Sequence, residues 1–140
     1  MKLSAKINYA CRAVLELSLH YHDTVPVQLN TIYKSQRIPK KFLVQLLLRL
    51  KDAGIVDSSR GMGGGYYLTR HPSSIKLADV FRAVDSHLLE QPKAAKSGNE
   101  SEKLIASIWN RANALFSAQF DMNYENLIAQ LRGFYVDYQI

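Results

Sequence analysis

The residues best suited to chemistry are cations and glycines. Lys40 and Lys41 follow Pro39, and Arg60 opens the run Arg60-Gly61-Met62-Gly63-Gly64-Gly65-Tyr66, which holds four of the seven glycines. Cations beside a glycine-rich turn suit a polyanion, because they neutralise phosphates while glycine lets the backbone approach closely. A nucleotide-binding phosphate loop would end in Lys-Ser/Thr and lead from a strand into a helix, and this run does neither. His20, His22, His71 and His87 are scattered. Only His20 and His22 are close in sequence, and a pair at a helix end reads as exposed, with weak surface metal binding at most. No Ser/His/Asp or paired-carboxylate arrangement follows from the spacing, so an enzyme is not expected. The single cysteine, Cys11, supplies neither an internal disulfide nor a multi-cysteine metal site, which fits a reducing compartment. No metal site and no cofactor are expected.

The surrounding chain has 140 residues, the size of one typical domain, with 47% hydrophobic and 21% charged residues. A large multidomain enzyme, wholesale disorder and a fibrous repeat are excluded. No apolar run approaches the roughly 20 residues of a membrane span, and the N-terminal stretch is interrupted by Asn8, Tyr9, Arg12 and Glu16, so a cytoplasmic protein is expected. The net charge of +6 is unevenly placed. Residues 1–82 hold 13 Lys and Arg against 5 Asp and Glu, a balance of +8, whereas residues 83–140 hold 5 against 7, a balance of −2. This asymmetry points to a polyanion-binding module joined to an element with another task, although a basic face can also be merely solvated.

The elements that must position the cations follow from periodicity. Ile7, Ala10, Cys11, Val14 and Leu17 predict an amphipathic helix from Ser4, its N-cap, to about His20. A shorter helix is expected from about Gln28 to Gln36, burying Leu29 and Ile32. Pro39 starts a third, with Leu43, Leu46, Leu47 and Leu50 on its core stripe and Gly54 at its end. Lys40, Lys41, Val44 and Gln45 are then left off the core. Ile55–Ser59 and Tyr66–Thr69 read as two strands of a hairpin around the glycine run. A fourth helix is expected from about Leu77 to His87. Three helices and a hairpin in this order describe a winged helix-turn-helix, whose third helix can enter a major groove while the hairpin reaches the flanking backbone.

The opening Met1-Lys2-Leu3-Ser4 with Tyr9-Ala10 and Arg12-Ala13, then Ile38, Phe42-Leu43, Leu50 and Ala53-Gly54-Ile55-Val56, follow a recognisable order. Together with the run from Arg60 to Tyr66, Ile75 and Arg82-Ala83-Val84-Asp85, they make the chain resemble the Rrf-two family of bacterial winged-helix transcription regulators over about residues 1–135. The resemblance implies a mainly α fold with a small β-hairpin wing, a winged helix-turn-helix DNA-binding domain and a long C-terminal dimerisation helix. It also implies a homodimer, most often a repressor, on a palindromic operator in double-stranded DNA. The DNA-contacting set expected is Gln28, Lys40, Lys41, Val44, Gln45, Arg60, Gly61, Gly63, Gly64 and Tyr66. Residues 1–89 would form the DNA-binding domain and residues 90–101 a polar linker, with residues 102–140 a dimerisation helix and a short terminal helix capped by Asp121 or Asn123. The long helix, about Glu102 to Phe120, carries Leu104, Ile105, Ile108, Trp109, Ala112, Leu115 and Phe116 as a stripe wider than one small domain covers.

Departures from the family pattern are equally informative. Cluster-binding members place three cysteines between the fourth helix and the dimerisation helix, whereas residues 88–108 here contain no Cys and no His. In the nitric-oxide sensors an acidic residue near the N-terminus completes the cluster, and the matching position here is Asn8. An iron-sulfur cluster is therefore not expected, and Cys11 reads as a small core residue. Val44 stands near where many relatives carry a base-reading Glu, and Met62 where Pro is common. An alternative thus stays open: a dimeric interaction protein that no longer binds DNA and acts through a partner. The signal, whether a small-molecule effector, a partner protein or none, is not legible.

Overall fold

The computed structural model describes residues 3–90 and 98–139. Its first helix, α1 (Ala5–Leu19), starts where the Ser4 hydroxyl accepts the Ile7 N–H at 3.3 Å, as the cap reading expects. Ile7, Ala10, Ala13, Val14 and Leu17 recur at helical spacing and are buried. Cys11 is only partly buried, at the edge of this stripe. α2 (Leu29–Gln36) follows, with Gln28 as its N-cap. Of its two expected core residues Ile32 is fully buried and Leu29 partly so. Arg37 ends α2 in the left-handed region at φ 51°, the buried Ile38 turns the chain inward, and Pro39 caps α3 (Lys40–Asp52).

Leu43, Leu46, Leu47 and Leu50 bury one side of α3, and each such side chain gains about 1.5–3 kcal/mol over exposure. Gly54, at φ 76°, stops the helix: its N–H reaches Lys51 O at 2.9 Å while Ile55 N–H reaches Leu50 O at 3.0 Å. These two bonds are a Schellman closure, which requires the left-handed residue that glycine supplies.

The hairpin pairs β1 (Val56–Ser59) with β2 (Gly65–Leu68) antiparallel, Val56 opposite Leu68 and Ser59 opposite Gly65. β1 starts one residue later than the periodicity predicts, at Val56 rather than Ile55, and β2 keeps its four residues but is shifted one toward the glycine run. A third segment joins them unforeseen, because Val27 and Tyr66 exchange two backbone hydrogen bonds of 2.8 Å, fastening the loop before α2 to the wing. Gly65 permits this approach, since a methyl there would overlap the Val27 carbonyl.

A 3₁₀ turn at Pro72–Ser74 leads into α4 (Leu77–Val84), which buries Ala78, Val80, Phe81 and Val84. The helix stops three residues before the predicted His87. Asp85 is extended at φ −143°, its carboxylate accepts the His87 N–H at 3.1 Å, and Arg49 from α3 donates to the Val84 carbonyl at 2.8 Å. A side-chain turn and a long-range donor thus satisfy groups that another helical turn would have used.

The linker expected at 90–101 lies largely in residues 91–97, outside the described residues. α5 (Glu100–Gln119) begins two residues earlier than predicted, because Asn99 and Glu102 form a reciprocal capping box with bonds of 2.9 and 3.0 Å. α6 (Tyr124–Gln139) is not the short helix expected but 16 residues long. Asn123 rather than Asp121 serves its first turn, accepting the Asn126 N–H at 2.9 Å.

The corner between α5 and α6 is stitched to the start of α4. Leu77 N–H donates to Met122 O, Ala78 N–H to Phe120 O and Tyr124 N–H to Ile75 O, each at 3.0 Å. Tyr124 is fully buried, and its hydroxyl donates to the Cys11 carbonyl at 3.1 Å. α1 therefore has α2, α3, α4 and α6 around it. No helix among the described residues is long and apolar enough to cross a membrane.

Candidate nucleic-acid interface

The turn at Arg37–Pro39 projects the start of α3 outward with Lys40 and Lys41 exposed. Because leucines fill the core stripe, the opposite side is left to Lys41, Val44, Gln45 and Leu48. Val44 is 46% and Leu48 60% exposed. Exposed aliphatic side chains between cations suit a groove edge, where they can meet a thymine methyl. Leu48 was missed in the sequence, although its spacing from Lys41 and Val44 places it on their face.

Around this helix the other expected residues take different positions. Gln28 is exposed at the start of α2 and makes no side-chain capping bond, so its amide can reach outward. Arg60 and Gly61 are exposed at the wing tip, with Met62 fully so. Gly61 and Gly63 have φ of 96° and 77°, a backbone that L side chains rarely adopt. Gly64 is half-buried, and its N–H closes the turn on Gly61 O at 3.0 Å. Tyr66 is half-buried against the core, whereas Tyr67 beside it is 41% exposed. Among the described residues Lys40, Lys41 and Arg60 form no ion pair, whereas Lys51 at the far end of α3 lies 3.5 Å from Asp57.

The seven residues of the predicted stripe on α5 stay together on the surface. Leu104, Ile105, Ile108, Trp109 and Leu115 are 59%, 54%, 48%, 61% and 74% exposed, and α5 contains no buried residue. Ala112 is exposed as well. Phe116 is half-buried: its ring meets Phe120 edge-on at 4.5 Å, and Phe120 packs on Phe81 of α4 at 4.4 Å. The base of the stripe thus leans on its own chain, while the rest stays exposed among the described residues.

The donor set does not fit an iron-sulfur cluster, which takes several thiolates. Burial pushes the one thiol, Cys11, up to about 12, so it stays protonated at neutral pH. Among the described residues no group of three or more His, Cys, Asp or Glu is placed to hold a metal ion. The structure does bring His71 next to His22, their rings 6.1 Å apart with Tyr21 against both, which the sequence order hid. His20, expected to be simply exposed, is instead held between two carboxylates.

An exposed basic helix start, a glycine hairpin beside it and a long arm define a winged helix-turn-helix transcription regulator. Residues 3–127 match the Rrf2 family, described as an iron-dependent transcriptional regulator. The chain belongs to that family, whose members are regulators rather than enzymes. It is 33% identical over 120 residues to the HTH-type transcriptional regulator IscR of Cereibacter sphaeroides, covering 81% of this chain and 77% of that one. Among solved structures it is similar to IscR of T. potens, with a TM-score of 0.78, 27% identity and 94% and 88% of the two chains covered. It is also similar to CymR, the global cysteine regulator of B. subtilis, with a TM-score of 0.78, 26% identity and 93% and 98% covered.

Proposed function

We propose that this regulator is a homodimeric, sequence-specific repressor that acts in the cytoplasm by occupying a palindromic operator. The observation that carries this reading is the exposed start of α3. There Lys40 and Lys41 lack acidic partners among the described residues and share a face with Val44, Gln45 and Leu48. In this reading residues 1–89 bind DNA and residues 102–140 pair two copies. Lys40, Lys41, Gln28 and Arg60 take phosphates or groove edges, and Gly61, Gly63 and Gly64 let the wing approach the backbone. Tyr66 holds the wing root in place. Gln45 offers a bidentate amide to adenine and Val44 an apolar contact to thymine.

Selection from random duplexes is expected to return a palindrome with A·T pairs in each half-site. On that operator Lys41→Ala should lower the slope of log affinity against log salt by about 1, the share of one phosphate contact. An unchanged slope and affinity would remove Lys41 from the interface. Failure to enrich any sequence would favour the partner-acting dimer instead.

The regulator is further inferred to work without a cluster, in departure from the family's iron-dependent description. A single protonated thiol on α1 offers none of the ligands that such a centre takes. Protein purified without oxygen should be colourless and contain neither iron nor sulfide, and near-stoichiometric amounts of both would reverse this conclusion. In place of a cluster, the reading leaves a small-molecule effector, a partner protein or no effector at all.

A further inference from the structure

His20, at the end of α1, places each ring nitrogen on a carboxylate. Nδ1 lies 2.6 Å from Asp23 Oδ2, and Nε2 lies 3.2 Å from Glu16 Oε1. A neutral imidazole has one N–H, so one of these nitrogens would then turn a lone pair toward a carboxylate oxygen. The arrangement fits the imidazolium, which donates to both. Glu16 is the hub behind it, only 5% exposed. Its second oxygen accepts Ser35 Oγ and Gln36 Nε2, each at 2.8 Å, from the last turn of α2, and Arg12 Nε reaches Gln36 Oε1 at 3.5 Å.

We propose that His20, Asp23 and Glu16 form a proton-dependent clasp that positions α2 and the root of the wing, so that operator affinity falls as pH rises. The proposal rests on the DNA-binding reading above, because DNA is what the clasp would regulate. Asp23 lies in the loop between α1 and α2, and Val27 in the same loop is hydrogen-bonded to Tyr66 of the wing. The loop is thus held at one end by His20 and at the other by β2, immediately before the exposed Gln28. Glu16 in turn sets the end of α2 from which the chain turns into α3.

The charged and titratable groups around the ring come from several elements. Glu16 is on its own helix and Asp23 on the loop, Tyr21 after α1 and Tyr66 and Tyr67 of β2 line the same open cavity of about 400 Å³, and Arg12 lies one hydrogen bond beyond through Gln36. Asp23 first, then Glu16, hold His20 above the ordinary histidine range, against the opposing effect of its partial burial. The charged contacts are fully present below the ordinary histidine value and are lost as pH rises through the raised one. His20 is 35% and Asp23 55% exposed, so the pair is screened and its effect modest.

Operator affinity should fall by roughly two- to fivefold between about pH 6 and about pH 8.5, the range of one partly exposed ion pair. His20→Gln should flatten that part of the profile, whereas His87→Gln should not. Nuclear magnetic resonance of the DNA-free protein should show His20 titrating above the ordinary range, with amide protection in Leu29–Gln36 dropping through the same step. A wild-type profile that persists unchanged in His20→Gln, or α2 protection indifferent to the titration, overturns the clasp. Absence of operator binding at every pH would defeat the DNA-binding reading instead, and the DNA-free titration would still decide the clasp.

Discussion

Ile108→Glu is expected to yield a monomer that binds the operator on the order of a hundredfold or more weaker than the wild type. Ile108 sits in the middle of a stripe that its own chain leaves exposed. Covering that stripe with a second copy gains about 25 cal/mol per Å² of apolar area, and a carboxylate stranded in the seam would oppose it. Glutamate is a good helix former, so α5 itself should persist and circular dichroism should change little. The loss on DNA follows from linkage of the two halves: once one recognition helix is seated, the other binds at the high effective concentration its mate confers. Two such helices would meet major grooves about 34 Å apart. Sedimentation and operator titration on one preparation read both steps. A wild-type protein that is monomeric at micromolar concentration yet binds its operator tightly would falsify the pairing.

Tyr124→Ala should destabilise the fold by about 3–5 kcal/mol, the usual cost of deleting a large buried ring. Tyr124 is among the largest fully buried side chains, and it joins α6 to α1 while its backbone N–H joins Ile75. Tyr124→Phe keeps the ring and removes only the hydroxyl that donates to the Cys11 carbonyl, so it should cost about 1 kcal/mol. Urea unfolding of the two variants separates packing from hydrogen bonding. If Tyr124→Ala shifted stability by less than Tyr124→Phe is expected to, α6 would not be docked in solution as the structure has it.

These contrasts mark what periodicity reveals and what it hides. α1 and α3 were legible because Ile7, Ala10, Val14 and Leu17, and the four leucines of α3, repeat at helical spacing, with Ser4, Pro39 and Gly54 punctuating their ends. The hairpin was legible because its glycines cluster between two short segments, Ile55–Ser59 and Tyr66–Thr69, that read as strands. The Val27–Tyr66 pairing was not, since a single bridge across 39 residues has no local pattern. α4 ends early through the Arg49 donor, a contact between α3 and α4 that no window around Asp85 contains. In the sequence Glu16 counted only as one of the polar residues that interrupt the N-terminal stretch. Its partners Ser35 and Gln36 lie on another helix, so only the fold shows that it is a satisfied buried acid. In the candidate interface Lys40, Lys41, Val44 and Gln45 emerged by elimination from the leucine stripe, and the same subtraction carried one turn further reaches Leu48.

The stitched corner between α5 and α6 gives the arm a fixed joint. Three backbone hydrogen bonds and the Phe116–Phe120–Phe81 stack lock the base of α5 to α4, so the arm leaves the winged helix at a set angle instead of trailing from it. For two copies paired through α5, that makes the dimer a pair of calipers with a fixed gape. Calipers of this kind gauge the separation of two half-sites as strictly as their letters, because each extra base pair turns one groove by about 34–36° away from its helix. A signal that loosened the corner would therefore change which spacings are accepted without altering a single base-reading residue.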